Sequence, residues 1–189
     1  MNRHPRSLFS PSALNTYLDC RLKFYYRYVA GLKAPDEVSA EIDSALFGTI
    51  FHRAAELVYK DLTANGKEIR KEDLDQVLRN DIKLQNYVDI AFKEEFFHVA
   101  LTEKPEYNGT QLINAKVITS YLRQLLRNDL QYAPFFMEGM EKKVTEIIEI
   151  ETSQGKLALN IGGTIDRIDS KDDTLRIVCL LYTSDAADE

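Results

Sequence analysis

Two residues in this sequence have the chemistry of metal ligands. Asp166 interrupts the apolar run of a predicted strand, since it lies between Ile165 and Ile168. Burying an unpaired carboxylate is costly, so such a strand needs a partner for the charge, and a metal ion is one. His52 stands on an otherwise apolar helix, with Gly48 one turn earlier. A divalent cation held by such ligands, with positions left open for water and phosphate, would support phosphodiester hydrolysis.

Other acidic residues could join His52 and Asp166 at such a site, and His52 also has a purely structural explanation. A single histidine on a helix is more often a hydrogen-bonded structural residue than a ligand. Glu56 lies four residues after His52 on the same side of its helix. Glu141 begins the first strand region and could neighbour the site. Three more glutamates of that region are equally available: Glu138, Glu146 and Glu149.

The elements that must position these residues are helices first and strands afterwards. Ser10 and Pro11 are predicted to begin the first helix, with Ser as its cap and Pro in its first turn. Apolar residues at helical spacing predict three more helices, at about residues 45–62, 71–97 and 110–132. The helical part therefore covers residues 10–133.

The hydrophobic period changes after Pro134 and indicates strands over residues 141–178. Turns are predicted at 153–156 and 169–173, a bulge or kink at Gly162-Gly163, and a last strand at 175–178. Helices followed by an antiparallel meander are an α+β pattern.

Basic residues are concentrated at the start of the chain. The net charge is −6, but the first 33 residues hold six basic residues against Asp19 alone, a local charge of +5 that leaves −11 for the rest. Aromatic and basic residues are interleaved there, and such side chains can stack on bases and contact phosphates. Tyr17, Lys23 and Arg27 are therefore candidate contacts for nucleic acid. A core helix with tyrosine hydroxyls at its surface explains the same pattern.

Composition excludes several protein classes. With 189 residues, 44% hydrophobic and 29% charged, the chain fits one ordinary globular domain, with or without a helical insertion. No apolar run approaches the roughly 20 residues that span a bilayer, and no apolar signal core follows the N-terminus. Two cysteines are too few for a disulfide framework. We expect a cytoplasmic protein without membrane contact.

Three motifs occur in an order that resembles one nuclease family. They are Ser10-Pro11-Ser12 followed by Leu14, Tyr17, Cys20 and Phe24; Gly48-x-x-x-His52; and Gly163-x-Ile165-Asp166-Arg167-Ile168-Asp169. Together they resemble the RecB/AddB-type nuclease domain of the PD-(D/E)XK superfamily over about residues 8–178. The resemblance implies a restriction-endonuclease-like core, DNA as substrate, and Mg²⁺ or Mn²⁺ bound by His52 and Asp166.

The motif that the resemblance implies next is absent. The family has Asp-x-Lys after a strand like residues 175–178, whereas Cys179, Leu180 and Leu181 stand here. The second metal carboxylate and the catalytic lysine are therefore missing, and we expect an incomplete, inactive core. Residues 179–189 resemble the translation of a transposon-end sequencing adapter. We interpret residues 1–178 as a genuine partial domain and the last 11 as an artefactual tail.

The resemblance also bears on Cys20 and Arg167. In AddB-like nucleases a cysteine at the place of Cys20 joins three later cysteines around a [4Fe–4S] cluster, although Arg21 stands where proline is usual. We expect those three beyond residue 178, and a small buried thiol is the alternative. Arg167 either contacts a DNA phosphate or pairs with Asp169, and the alternation of charges favours the salt bridge.

Three functional hypotheses follow. The first is a partial metal-dependent DNA nuclease domain, from an AddB-like helicase–nuclease subunit that processes double-strand breaks with a partner subunit. The second is a DNA-end-binding or scaffolding module without catalysis. The third is a helical interaction domain with a β appendage. The third predicts His52 and Asp166 more than about 10 Å apart, too far to share one ion.

Overall fold

The computed structural model describes residues 9–32, 41–153 and 155–180. These residues form two compact units. The first unit holds the described residues up to 32 together with 142–165, and the second holds 41–141 together with 166–180. Within the second unit lie both predicted metal ligands, His52 and Asp166.

The first unit begins with short helical segments. They are α1 (Pro11–Asp19), α2 (Arg21–Phe24) and a π-helical turn (Tyr25–Val29). Ser10 caps α1, because its side chain accepts a hydrogen bond from the backbone N–H of Ala13 at 3.2 Å. The predicted start of this helix is therefore confirmed. Cys20 is extended and separates α1 from α2, which the sequence did not indicate.

Gly163 lies on a strand that α1 approaches closely. A Cβ atom at Gly163 would lie 3.3 Å from Cδ of Pro11, which is tighter than normal side-chain contacts. Phe9 also pairs with Ile161 in a parallel bridge. Residues 155–171 form one strand in the structure, so Gly162-Gly163 does not end it. Close approach of the helix start is the physical reason for a glycine at position 163.

The second unit contains the longer helices and the parts of the strands that lie outside residues 142–165. The helices are α3 (Ser44–Leu62), α4 (Lys71–Leu78), α5 (Asp81–Phe92), a π-helical turn (Lys93–Phe97) and α6 (Gly109–Tyr132). The strands are β1 (Glu68–Ile69), β2 (Phe135–Thr152), β3 (Gly155–Lys171) and β4 (Thr174–Val178). The sheet order is β1-β2-β3-β4, and β1–β2 and β3–β4 are antiparallel. The predicted α+β class and antiparallel meander are confirmed.

Apolar side chains of the helices and of β2 build the core of this unit. Fully buried members include Ile50, Val58, Leu84, Ile118, Leu122 and Phe135. Buried residues recur three or four positions apart on α3 (Ile50, Ala54, Val58), α5 (Leu84, Val88, Ala91) and α6 (Ile118, Leu122), which is why the sequence showed a helical period.

Three predicted boundaries were wrong. Residues 71–97 are not one helix, because Asn80 accepts a hydrogen bond from the backbone N–H of Lys83 and starts α5 afresh. The first long strand begins at Phe135 rather than 141, and the two-residue β1 was missed. The final turn consists of Asp172 and Asp173 only, both with positive φ (48° and 61°), a backbone typical of tight hairpins.

Candidate metal centre

His52 reaches the site because the rest of its helix is anchored in the core. Asp43 caps α3 by accepting a hydrogen bond from the backbone N–H of Leu46 at 2.7 Å. Ile50 and Ala54, two residues on either side of His52, are fully buried. The His52 side chain projects beside this buried stripe and is 20% exposed. The helix therefore holds the imidazole at the edge of the core, where solvent or a ligand can reach it.

Three side chains of the second unit converge at this point. His52 Nδ1 lies 3.0 Å from Oε1 of Glu141, and His52 Nε2 lies 3.9 Å from Oδ2 of Asp166. One potential ligand atom from each residue lies within 4.8 Å of the others. Two atoms 3.9 Å apart can both bind one ion at bond lengths of about 2.0–2.6 Å. The geometry thus suits a divalent cation, and it excludes the helical interaction domain, which required a separation above about 10 Å.

Asp166 is held in place by the backbone after β4. The N–H of Leu180 donates a hydrogen bond of 2.9 Å to Asp166 Oδ2, and the Leu180 side chain is buried in the core of the same unit. Side chains alternate along a strand, so Asp166 faces the site while its neighbour Arg167 points into the core. The sequence did not indicate the contact with Leu180.

Glu141 has an unusual backbone conformation. Its φ is 47°, in the left-handed region that residues other than glycine rarely adopt. Such a conformation costs roughly 1–3 kcal/mol and concentrates at functional sites. Nothing in the sequence distinguishes Glu141 from Glu138, Glu146 or Glu149. The structure selects it, because among the described residues only Glu141 joins His52 and Asp166 in a potential metal-binding group.

An open cavity of about 420 Å³ adjoins His52. Its walls consist of small residues from the first turns of α3 and of acidic or basic side chains: Ser44, Ala45, Gly48, Thr49, Arg53, Glu56, Glu95 and Glu141. The volume lies within the range of small-molecule sites. The cavity therefore leaves room for water or for part of a substrate beside the three converging side chains.

Glu56 is not a metal ligand, although it follows His52 by one helical turn. Arg53 contacts Glu56 at 2.6 Å and Lys60 contacts it at 2.7 Å. Burial opposes ionisation of Glu56, but these hydrogen bonds outweigh it and lower the pKa of the carboxyl. A hydrogen bond to Glu94 raises the pKa of the Arg53 guanidinium, so both partners stay charged and neutralise each other.

Arg167 is a buried structural residue, which corrects its predicted role in DNA contact. Its side chain is 1% exposed and donates to Asp129, with Nη2 2.8 Å from Oδ1. Its Nε lies 3.1 Å from Asp169, in an ion pair without a hydrogen bond. The favoured pairing with Asp169 is thus present, but Asp129 is the hydrogen-bonded partner. A guanidinium enclosed in this way is not available to a phosphate.

The other sequence-predicted residues lie in the first unit. Tyr17, Lys23 and Arg27 are exposed, and the guanidinium of Arg27 lies 5.6 Å from the ring centre of Tyr28. Cys20 is exposed rather than buried, and its Sγ caps α2 by accepting a hydrogen bond from the N–H of Lys23. The structure therefore gathers the basic and aromatic candidates in one unit and the metal-site candidates in the other.

Comparison with known proteins agrees with this geometry. The family model of the PD-(D/E)XK nuclease superfamily matches residues 8–178. An ATP-dependent helicase/deoxyribonuclease subunit from two strains of Lactobacillus delbrueckii subsp. bulgaricus is 26% identical over 174 residues, covering 86% of this chain. The chain spans 14% of the length of these relatives. The sheet and helices are consistent with a restriction-endonuclease-like α+β fold, and the chain belongs to the PD-(D/E)XK nuclease superfamily.

Proposed function

We propose that the chain is part of a metal-dependent DNA nuclease domain in which His52 and Asp166 hold Mg²⁺ or Mn²⁺. This proposal rests mainly on one observation: His52, Glu141 and Asp166 converge from α3, β2 and β3 beside an open cavity. The superfamily match and the relatives named as helicase/deoxyribonuclease subunits support the choice of DNA as substrate. We further propose that the domain comes from an AddB-like subunit that processes double-strand breaks with a partner subunit in the cytoplasm. No helix among the described residues is long and apolar enough to cross a membrane.

In this proposal, residues of the chain bind the cation, position a ligand and admit the substrate. Nε2 of His52 and the carboxylate of Asp166 bind the cation, and the N–H of Leu180 keeps that carboxylate in position. A bound divalent cation would polarise a phosphoryl oxygen and lower the pKa of bound water. The cavity beside Gly48 and Thr49 would admit the scissile phosphate.

Catalysis also requires groups that the chain lacks. The family's second carboxylate and lysine would fall at positions 179 and 181, which are Cys and Leu here. We therefore propose that the chain is inactive by itself. Its interpretation as a partial domain of residues 1–178 with an artefactual tail stays a prediction, and residues 181–189 of that tail lie outside the described residues. Adapter identity in the corresponding nucleotide sequence would support it, and an ordinary coding stretch would refute it.

Removing His52 is expected to abolish tight metal binding. His52→Ala should lower the affinity for Mn²⁺ by at least about 100-fold, because even residues that only support a ligand contribute 10- to 100-fold. Calorimetric titration of the purified chain with MnCl₂ measures this. His98→Ala is the matched control, since His98 is exposed and lies outside the converging group. Equal Mn²⁺ affinity in the His52→Ala variant and the unaltered chain would refute the proposed metal site.

A second prediction concerns single-stranded DNA. Tyr17, Lys23 and Arg27 are exposed together on the first unit, next to the half-exposed rings of Tyr25 and Tyr26. The double variant Lys23→Ala/Arg27→Ala should weaken oligonucleotide binding and reduce the slope of log affinity against log salt by about 0.7 per lost phosphate contact. Fluorescence anisotropy over a salt series measures both quantities.

The control for this experiment comes from the same unit. Lys156→Ala removes an exposed lysine near the turn between β2 and β3. The Nζ atom of this lysine lies 3.7 Å from Oε2 of Glu149. That variant should bind the oligonucleotide like the unaltered chain. An unchanged salt slope in the double variant would show that these two residues do not contact DNA phosphates.

An iron–sulfur cluster does not fit this chain. A [4Fe–4S] cluster takes four thiolates, whereas the sequence has two cysteines. Cys20 and Cys179 are both exposed and belong to different units. Cys20 could serve such a cluster only with thiolates that this sequence does not contain, so we assign no function here to a cluster.

A further inference from the structure

We infer that Glu141 is a positioning residue that fixes the tautomer of His52 and thereby presents a bare Nε2 to the metal. The inference rests on the proposed metal site but not on nuclease activity. It assigns to Glu141 a role that neither its sequence position nor the three motifs indicate.

The two nitrogens of His52 face different partners. Nδ1 lies at hydrogen-bond distance, 3.0 Å, from Oε1 of Glu141, whereas Nε2 lies 3.9 Å from Asp166 and makes no hydrogen bond to it. A carboxylate accepts hydrogen bonds, so the inferred contact places the proton on Nδ1. In a neutral imidazole the lone pair then stays on Nε2, which is the form that binds metal. Glu141 thus holds His52 in the competent tautomer without occupying the position beside Asp166.

The surroundings of Glu141 point the same way. Its side chain is about one-third exposed, yet among the described residues it pairs with no lysine or arginine, and its polar contact is with His52. By contrast, Glu56 pairs with Lys60 and Glu94 pairs with Arg53. Its left-handed backbone, with φ of 47°, is a strained conformation that the surrounding structure must hold in place. A carboxylate kept there, with the imidazole as its partner, is suited to orienting that ring.

Direct ligation by Glu141 is the competing possibility, and substitution with glutamine separates the two. A glutamine carbonyl can still accept the Nδ1–H hydrogen bond, but it carries no charge for a cation. If Glu141 positions the ring, Glu141→Gln should recover most of the Mn²⁺ affinity that Glu141→Ala loses. If Glu141 binds the ion itself, both variants should lose affinity equally.

The experiment combines imidazole NMR and metal titration on the full chain. Two-bond ¹H–¹⁵N spectra of the metal-free protein, at a pH where His52 is neutral, should show the Nδ1–H tautomer in the unaltered chain and in Glu141→Gln. Glu141→Ala should lose this tautomer and bind Mn²⁺ about 10- to 100-fold more weakly, the usual effect of removing a group that orients a metal-binding histidine.

Glu95→Ala serves as the matched control. Glu95 lines the same cavity, and within the described chain no hydrogen bond joins it to His52, so its loss changes the local charge equally while the tautomer should stay. A surviving Nδ1–H tautomer in Glu141→Ala, or equal Mn²⁺ losses in the Ala and Gln variants, would overturn the inference. If the proposed metal site itself is wrong, the result is different, because the unaltered chain would then bind no Mn²⁺, whichever tautomer His52 adopts.

Discussion

Replacing Cys179 with Asp and Leu181 with Lys is expected to turn the chain, which we propose to be inactive, into a Mg²⁺-dependent nuclease. The initial rate of DNA cleavage should rise at least about 100-fold above that of the unaltered chain, because a single electrostatic stabiliser of the transition state commonly contributes 10²- to 10³-fold. The N–H of Leu180 already donates to Asp166, so the backbone at this point passes beside the metal site. Leu180 itself stays unchanged, since its side chain is part of the core.

The assay uses a fluorescent oligonucleotide, single-stranded or duplex, with and without MgCl₂. Adding His52→Ala to the double variant should return the rate to background. A variant with Cys179→Asn and Leu181→Met, which has similar side-chain sizes but no charge, should remain inactive. If the double variant binds Mn²⁺ but does not cleave, the DNA-end-binding alternative is favoured over the nuclease. Cleavage by the unaltered chain that disappears in His52→Ala would contradict the proposed inactivity.

The sequence predicted the two proposed ligands, His52 and Asp166, but did not single out Glu141, which contacts His52. His52 and Asp166 were identified because an imidazole on an apolar helix and a carboxylate within an apolar strand are locally unusual. Glu141 is one of many glutamates in its stretch, and its left-handed φ is not a property that the residue type indicates. Backbone strain at a non-glycine residue depends on the whole fold, so spacing and composition carry no sign of it.

The sequence predicted only part of the role of Arg167, for a related reason: the favoured ion pair with Asp169 is present, but the burial of the guanidinium and its contact with Asp129 were not foreseen. A charged residue at a strand end is usually solvated, and Asp169, two residues later in the same strand, was the predicted partner. Its hydrogen-bonded partner is Asp129, which lies 38 residues away on α6. Tyr59 of α3 and Arg176 of β4 complete the cluster. Four elements must be packed before this network exists, so local patterns indicated the helices and strands but not the charges buried between them.

Replacing Asp129 should unfold the second unit more readily than any surface substitution. Asp129 is 3% exposed, and it accepts hydrogen bonds from the hydroxyl of Tyr59 and from Nη2 of Arg167, the latter at 2.8 Å. Burial and the charge of Asp129 raise the pKa of Tyr59 well above its usual range, so the phenol stays neutral and remains a donor. The charges balance within the cluster, since Arg167 and Arg176 face Asp129 and Asp169.

Asp129→Ala would leave two arginines facing Asp169 alone, and it should lower the free energy of unfolding by about 3–5 kcal/mol, the usual result of leaving a buried charge uncompensated. Arg167 could not escape to solvent, because its guanidinium is enclosed by the rings of Tyr59 and Phe135, at 4.9 and 5.6 Å from their centres. Tyr59→Phe removes the hydroxyl that donates to Asp129 and accepts from Nη1 of Arg167, but it leaves the Arg167–Asp129 ion pair in place. It should therefore cost less, about 1.5–3 kcal/mol. Urea denaturation followed by circular dichroism measures both.

The matched control is Asp75→Ala, which removes the same carboxylate from an exposed pair with Arg79 on α4. That substitution should change the free energy of unfolding by less than about 0.5 kcal/mol, because exposed ion pairs contribute little. If Asp129→Ala were as mild as Asp75→Ala, Arg167 would have to be solvated in the folded protein, and its assignment as a buried structural residue would be wrong. A loss several-fold larger, with that of Tyr59→Phe in between, would show that Arg167, which follows the proposed metal ligand Asp166, anchors β3 in the core.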